Sequence, residues 1–331
     1  VAIDSLYDMT EWVEPYKDKM NAFKWEDVTK DGKLFAMPWD SGPVVMYYRT
    51  DIFEQAGLPT EPEEVAKLVQ TFEDYEEIGK AIADKTDAYL MTDSKERSNH
   101  RFFETMMWQQ GLWYFDKNGD VQLDSPEVKE IGEYFVNLVE KGYVFNAEPW
   151  GESWLNAIGG GKVATIVGAS WFDGLLPSWI DPSGSGKWRA VPMPKWNADD
   201  KYLSANDGGS NMAINKNSKH PEEAWKFIEF MLGREESQTK MFIEGGFFPS
   251  LETTYDSPDV SKPVEYFGGQ PVRELYVEVA DKIYPQPYTE DFPLANQIMT
   301  DAFGEIFFNG KSVDEVFDQY ADEIRSRTNR K

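Results

Sequence analysis

Residues 33–58 read KLFAMPWDSGPVVMYYRTDIFEQAGL. The pattern predicts a short strand, a Trp-Asp-Ser-Gly-Pro turn, a second strand and a helix that ends at Gly57. This order indicates that the chain leaves one sheet, passes an aromatic ring and a carboxylate, and enters another lobe. The turn therefore places Trp39 and Asp40 where two lobes would meet.

The composition of the whole chain is that of a folded protein with large cores and many aromatic side chains. Its 331 residues allow two domains of ordinary size, and 41% of them are hydrophobic. The chain has 12 Trp, and several of them stand beside Gly or Pro. Aromatic rings in such turns are better placed to line a cleft than to fill a core.

Charge and cysteine content exclude several functions. The formal net charge is −26, which disfavours binding to nucleic acid and to anionic lipid. This charge is typical of a highly soluble protein, or of one adapted to a saline or alkaline exterior.

Cysteine is absent, so disulfides, thiolate metal sites and a cysteine nucleophile are excluded. No apolar run is long enough to cross a bilayer. Residues 1–4 read as the end of a buried strand, not as a signal peptide.

Helix signals recur between the short apolar runs that predict strands. Thr71 and Asp74 form a capping-box variant ahead of an apolar stripe, and Ser312 and Glu315 form another. Helices also begin at Ser125-Pro126 and at Pro221. Strands are predicted at 163–167, 188–191 and 212–214. Strands that alternate with helices predict an α/β fold with mostly parallel sheets.

Catalytic and metal-binding signatures are weak. The two His residues are His100 and His220, and no G-x-S-x-G elbow accompanies them. His220 precedes Pro221 at a helix start, which favours a structural role. The loop DKNGD at 116–120 resembles part of a calcium loop but lacks the downstream Glu spacing, so a plain turn is expected. We expect no metal and no cofactor.

Five segments, in order along the chain, resemble a known family. These are PWDSGPVVMYYRTDIFEQAGL (38–58), GGGKVATIVGASWFDGL (159–175), NDGGSNMAINKNSKHPEEAWKFIEFML (206–232), GGFFPS (245–250) and NGKSVDEVFDQYADEI (309–324). The chain is similar to extracellular solute-binding proteins of the sugar-binding, maltose-binding-protein-like type, which capture sugars for ABC importers. By this resemblance the sequence opens at the family's second strand, and we expect the family's first strand and helix to lie outside residues 1–331.

The resemblance implies a two-lobe, periplasmic-binding-protein-like α/β fold with three crossings and a ligand cleft between the lobes. We expect the first lobe to comprise 1–45 and 205–249, and the second lobe 46–204 and 250–331. The implied function is capture of a sugar, expected to be an oligosaccharide, by hinge closure, and its delivery to ABC transporter permease subunits without catalysis. We expect an extracytoplasmic monomer, either periplasmic or a cell-surface lipoprotein.

A sugar site needs flat aromatic platforms together with carboxylates and amides. The resemblance implies that Trp171 is the stacking platform, although a core position is the alternative. Asp40 would accept hydrogen bonds from hydroxyls, or would only cap its own turn. The other candidates at the crossings are Trp39, Ser41, Asp207, Gly208, Gly209, Phe247 and Phe248, and burial of the two Phe is as plausible as a cleft position.

Further candidates lie outside the crossings. The resemblance brings the helix start at Asn99, His100 and Arg101 to the cleft edge, with Trp108 on the same helical face as Arg101. Trp150 and Tyr288 are weaker candidates in loops. The main alternative function is a carbohydrate-active hydrolase with Asp40 and Glu104 as its carboxylate pair. A peptide- or polyamine-binding relative is a third option.

Overall fold

The computed structural model describes residues 3–95, 100–286 and 289–331. Its helices are α1 (Thr10–Val13), α2 (Thr50–Gln55), α3 (Pro62–Leu68), α4 (Phe72–Lys85), α5 (Arg101–Gln109), α6 (Pro126–Glu140), α7 (Glu152–Gly159), α8 (Phe172–Leu175), α9 (Pro221–Leu232), α10 (Glu235–Gly245), α11 (Val272–Ala280), α12 (Phe292–Asn309) and α13 (Val313–Thr328). Short 3-10 segments are Ile3–Ser5, Glu14–Lys19, Ala22–Val28, Glu252–Asp256 and Glu265–Phe267, and Leu176–Ile180 forms a π turn.

The strands are β1 (Thr29–Lys30), β2 (Lys33–Leu34), β3 (Ala36–Ser41), β4 (Val44–Arg49), β5 (Met91–Asp93), β6 (Val144–Asn146), β7 (Thr165–Ala169), β8 (Trp188–Pro192), β9 (Ser210–Ala213) and β10 (Phe248–Pro249). Strand β3 is central in a sheet of order β10-β3-β9, and β4 is central in a sheet of order β7-β4-β8. Only Gly42 and Pro43 separate these central strands, so the chain leaves one sheet and enters the other at the predicted turn.

Strand direction differs from the prediction of mostly parallel sheets. Strand β4 is antiparallel to both β7 and β8, and β3 is antiparallel to both β9 and β10. The physical reason is that β4 enters its sheet directly from the other sheet, without a helical crossover that would make it parallel to its neighbours. Parallel pairing does occur farther out, between β5 and β6 and at the Tyr89–Val163 bridge.

Side-chain caps confirm three of the four predicted helix starts, and the fourth helix begins at Pro221 as predicted but without a side-chain cap. The Thr71 hydroxyl accepts a hydrogen bond from the Asp74 amide at 3.2 Å, and the Asp74 carboxylate accepts one from the Thr71 amide at 2.9 Å. The side chains of Ser125 and Ser312 each accept a bond from the third residue of their helices, α6 and α13. These contacts satisfy amides that have no partner inside the helix.

Apolar side chains form three clusters. One lies under β3 and α9 and includes Met37, Ile228 and Leu232. The largest packs α4, α5, α6, α12 and α13 beside β4, and the third surrounds Tyr47 on the other face of β4. Phe242 and Phe248, which fall in the range predicted for the first lobe, pack into the Tyr47 cluster. The exact lobe boundaries therefore stay a prediction.

The start of the chain also differs from expectation. Ile3–Ser5 is a 3-10 turn and not the end of a strand, and Leu6 makes an isolated bridge with Asn215. Among the described residues, no helix combines the length and apolarity needed to span a membrane.

Candidate functional site

The segments that connect the two sheets are in direct backbone contact. The Gly42 amide donates to the Asn206 side-chain oxygen at 2.7 Å, and the Asp207 amide donates to the Gly42 carbonyl at 2.9 Å. A Cβ atom on Gly42 would lie 2.0 Å from the Asp207 carbonyl oxygen, which is far inside contact distance. The first crossing comprises residues 42–43 and the second crossing residues 206–209. Glycine at position 42 therefore allows these two crossings to approach this closely.

Trp171 lies just beyond the end of β7 and faces the second crossing. Its indole Nε1 donates to the Asp207 carbonyl at 2.9 Å, and the Phe172 ring stacks on it at 4.4 Å between centroids. Gly208 has φ of +90°, and a Cβ there would approach the indole nitrogen to 3.3 Å. These contacts hold the half-buried Trp171 ring in one orientation, as a binding platform requires.

A pocket lies beside Trp171 and is partly open to solvent. Its aromatic wall comes from the loop before α7, from α7 itself and from the end of β7, and its polar groups come from β5, the start of α5 and the second crossing. The lining residues are Met91, Thr92, Asp93, Arg101, Phe102, Pro149, Trp150, Trp154, Thr165, Ile166, Val167, Gly168, Trp171, Phe172 and Asp207.

Trp150 is the most exposed ring of this wall, with 43% of its surface accessible. Its ring centroid lies 4.9 Å from that of Trp154 and 5.7 Å from that of Trp171. Its backbone has φ of +66°, a left-handed conformation that costs a bulky L-residue on the order of 1–3 kcal/mol. Strain of this kind is found preferentially at functional sites, which supports the prediction that Trp150 contacts a ligand.

The polar side of the pocket carries groups of both charges. Asp207 is half-buried, and burial raises the pKa of its carboxyl, an effect that the Arg101 charge opposes and the Glu104 charge reinforces. Asp93 is 4% exposed, and burial raises its pKa well above the usual range. The Arg101 guanidinium is half-exposed and pairs with Glu104 at 2.8 Å. A neutral polar ligand could therefore find both donors and acceptors here.

Glu104 pairs with Arg101 and is itself held by other side chains. Its carboxylate accepts hydrogen bonds from Tyr114 at 2.9 Å and from the Asn296 amide at 2.8 Å, besides the bond from Arg101. Burial raises the pKa of Glu104, but the hydrogen bond from His100 and the charge of Arg101 outweigh that effect and lower it. His100 is itself buried in this network, with Nε2 2.8 Å from the Asn296 amide nitrogen. It therefore supports Arg101 and does not line the pocket.

The structure buries two other candidates. Trp108 is 5% exposed and its indole nitrogen donates to the Tyr284 carbonyl at 2.7 Å, because the face of α5 that carries it packs into the core. Phe248 is fully buried against Phe242. The expectation that Trp108 faces a ligand is wrong, and for Phe248 the alternative of burial is correct. Asn99 and Tyr288 lie outside the described residues.

The first crossing does not match the prediction that Asp40 faces a ligand. The Asp40 carboxylate is buried and accepts a hydrogen bond from the Ser210 amide at 2.8 Å. Ser41 is also buried, and its hydroxyl donates to the Asn21 side chain at 3.2 Å. Both residues make structural contacts with distant parts of the chain, so the Asp40 carboxylate neither faces a ligand nor only caps its own turn.

Trp39 and Phe247 form a separate aromatic pair. Their ring centroids are 5.4 Å apart, Phe247 is 40% exposed and Trp39 is half-buried. Neither lines the pocket beside Trp171. Gly209 is exposed with φ of +94°, a conformation that favours glycine, and a Cβ there would lie 2.6 Å from the Asp40 carbonyl. A role of Trp39, Phe247 and Gly209 in binding stays a prediction.

The carboxylate pair of the hydrolase alternative is not assembled. Asp40 is bonded to Ser210, Glu104 is bonded within its own network, and neither lines the pocket. Within the described ranges no group of three His, Asp or Glu residues is arranged to hold a metal ion. The two carboxylates suspected as an acid-base pair therefore do not meet in the pocket, which combines aromatic rings with other polar groups.

Sequence reasoning missed Asp93, Thr92 and Trp154. Asp93 and Thr92 belong to the three-residue strand β5, which is too short to give a periodic signal, and Trp154 lies on an amphipathic helix where a core position is the default. A carboxylate at the end of an apolar strand was the one available signal for Asp93.

Comparison with known proteins agrees with this geometry. Residues 1–268 match the family model of bacterial extracellular solute-binding proteins. The chain therefore belongs to this family of extracellular binding proteins, which are not enzymes.

Individual relatives are distant but similar over most of the chain. An arabinooligosaccharide-binding protein of Halalkalibacterium halodurans is 26% identical over 92% of this chain and 68% of its own length. A lactose-binding protein of Rhizobium radiobacter is 28% identical over 92% of this chain and 71% of its own length. The ABC transporter associated binding protein from B. animalis subsp. lactis Bl-04, solved with β-1,6-galactobiose, matches with a TM-score of 0.80 and 25% identity, over 98% of this chain and 80% of that one.

Proposed function

We propose that this protein captures an oligosaccharide in the pocket beside Trp171 and delivers it to an ABC importer. The observation that carries the proposal is the combination, in one pocket, of the Trp150, Trp154 and Trp171 rings with Asp93, Arg101 and Asp207. Sugar rings have apolar faces that stack on indoles and hydroxyls that both donate and accept hydrogen bonds. The names of the two relatives, which bind arabinooligosaccharide and lactose, support a sugar ligand.

The position of the pocket supports capture by closure. Trp171 contacts the second crossing through Asp207, and Asp207 contacts the first crossing through Gly42. A ligand that touches Asp207 and Trp171 is therefore bound next to the segments about which the two sheets would rotate. We expect an affinity near micromolar, or about −8 kcal/mol.

Partners and location follow from the same proposal. The protein acts as an extracytoplasmic monomer that hands its ligand to permease subunits, and it is either periplasmic or held at the cell surface by a lipid anchor. The net charge of −26 is compatible with this setting, because it opposes adsorption to anionic lipid.

The test is a titration of intrinsic Trp fluorescence with lactose, β-1,6-galactobiose and arabinooligosaccharides, with reducing ends assayed in the same samples. We expect saturable binding of one sugar class and no released reducing ends. Trp171→Ala should weaken binding at least about 30-fold, as for a central buried anchor. The matched control is Trp12→Ala, since Trp12 is also half-buried but stacks on Tyr7 and Trp225 away from the pocket.

Three outcomes would contradict the proposal. No binding of any sugar would indicate a different solute. Release of reducing ends would indicate a hydrolase. Equal loss of affinity in the Trp171 and Trp12 variants would show that the pocket beside Trp171 is not the binding site.

A further inference from the structure

Trp179 is an exposed ring that the pocket does not include. It lies in the π turn Leu176–Ile180 after α8, and 50% of its surface is accessible. Its ring is nearly parallel to that of Trp150, with an interplanar angle of 5° and a centroid distance of 6.0 Å. Large aromatic rings that are half-exposed and grouped together mark binding surfaces more often than isolated exposed residues do.

Trp171, Trp150 and Trp179 are consecutive neighbours, and we refer to these three rings as the row. Trp171 is half-buried at its inner end, Trp150 follows at 5.7 Å, and Trp179 follows Trp150 at 6.0 Å. Exposure increases along the row, from half-buried Trp171 to 43% for Trp150 and 50% for Trp179. Each step is comparable with the length of one pyranose or furanose unit along a saccharide chain.

Phe172 and Trp154 pack against the rings of the row. Phe172 stacks on Trp171 and is also nearly parallel to Trp150, with an interplanar angle of 16°. Trp154 packs against Trp150 at 4.9 Å from within the Tyr47 cluster. The backbone of Trp150 adopts an unfavourable conformation, with φ of +66°, and its ring contacts both Trp171 and Trp179. The rings are therefore presented on a packed base, as preorganised binding requires.

We infer that Trp179 is the platform of an outer subsite, which stacks on the third sugar unit of a chain whose first two units lie at Trp171 and Trp150. The inference rests on the proposed function and adds chain-length selectivity to it. Its occupant is the same saccharide, because the row is continuous with the pocket at Trp150.

The experiment compares affinities for the di-, tri- and tetrasaccharides of an arabinose series and of a β-1,6-galactose series by titration calorimetry. In the unaltered protein, the trisaccharide of the recognised series should bind more tightly than its disaccharide, by about three- to tenfold, as one added aromatic stack provides. Trp179→Ala should remove this gain and leave the disaccharide affinity unchanged, whereas Trp179→Tyr should retain part of it. Phe227→Ala is the matched control, since Phe227 is 55% exposed on α9 and outside the pocket lining.

The outcomes separate the two proposals. If a disaccharide binds but the trisaccharide binds no better, or if Trp179→Ala affects every chain length equally or none, the outer subsite is wrong while the proposed function stands. If Trp179→Ala keeps its affinity for saccharides of every length, the Trp150–Trp179 surface serves another partner and the inference is overturned. If no saccharide binds the unaltered protein, the proposed function fails and the inference with it.

Discussion

Replacing Gly42 by alanine tests whether the contact between crossings positions the binding site. The new Cβ would lie 2.0 Å from the Asp207 carbonyl oxygen, 2.9 Å from its carbonyl carbon and 3.1 Å from the Ala169 Cβ. Two of these atoms belong to backbone, so the clash cannot be relieved by rotating a side chain. The two crossings must move apart.

The expected cost can be worked out from the contacts. Overpacking of a closely packed site costs about 1–3 kcal/mol. Separation would also weaken the bonds from the Gly42 amide to Asn206 and from the Asp207 amide to Gly42, at about 1 kcal/mol each. We therefore expect Gly42→Ala to lower the free energy of unfolding by about 3–5 kcal/mol. Sugar affinity should also fall, because the carbonyl that holds Trp171 is displaced.

The assay is urea unfolding followed by circular dichroism, together with the sugar titration. Gly310→Ala is the control, since Gly310 has φ of +68° and open space around its would-be Cβ. That variant carries only backbone strain, about 1 kcal/mol, and should bind sugar normally. If Gly42→Ala is no less stable than Gly310→Ala and binds sugar as tightly as the unaltered protein, the argument about the crossings is refuted.

Two further predictions concern buried carboxylates. Glu104→Gln should cost about 2 kcal/mol of stability at neutral pH, because three donors lose a charged acceptor, whereas the exposed Asp301→Asn should cost little. Because folding lowers the pKa of Glu104, the stabilisation by its carboxylate is lost as pH falls through the pKa of the folded state. The difference in unfolding free energy between Glu104→Gln and the unaltered protein should therefore shrink in acid. A difference that does not change with pH would contradict this. Asp93 has a raised pKa, so its proton favours the folded state at low pH and this stability is lost as pH rises. As pH rises above about 4, Asp93→Asn should become increasingly more stable than the unaltered protein. The difference should reach about 1.4 kcal/mol per unit of pKa shift. If urea unfolding shows the same difference in stability at every pH, this account is contradicted.

Features with local causes could be predicted from the sequence. The capping box at Thr71, the side-chain cap at Ser312, the helix that begins at Pro221 and the strand-turn-strand order around Gly42 depend on residues within a few positions of one another. The resemblance carried by five ordered segments also predicted the two-lobe fold, and the platform role that it implies for Trp171 stays a prediction.

Other features depended on contacts between distant parts of the chain. Strand β4 is antiparallel to β7 and β8 because of where it enters the sheet, which the alternation of helices and strands does not reveal. Trp108 is buried because its indole meets Tyr284, 176 residues away. Asp93 and Trp154 reach the pocket only when β5 and α7 pack beside β7.

The sequence by itself determined the longer elements, their order and the residue types available for binding, because caps, turns and periodicity act over a few residues. The tertiary structure alone decided which of the 12 Trp rings face solvent and which carboxylates are bonded away. The physical reason is that exposure and pKa depend on which groups surround a side chain. For Asp40, Glu104 and Trp179 those neighbours come from segments far apart in the chain.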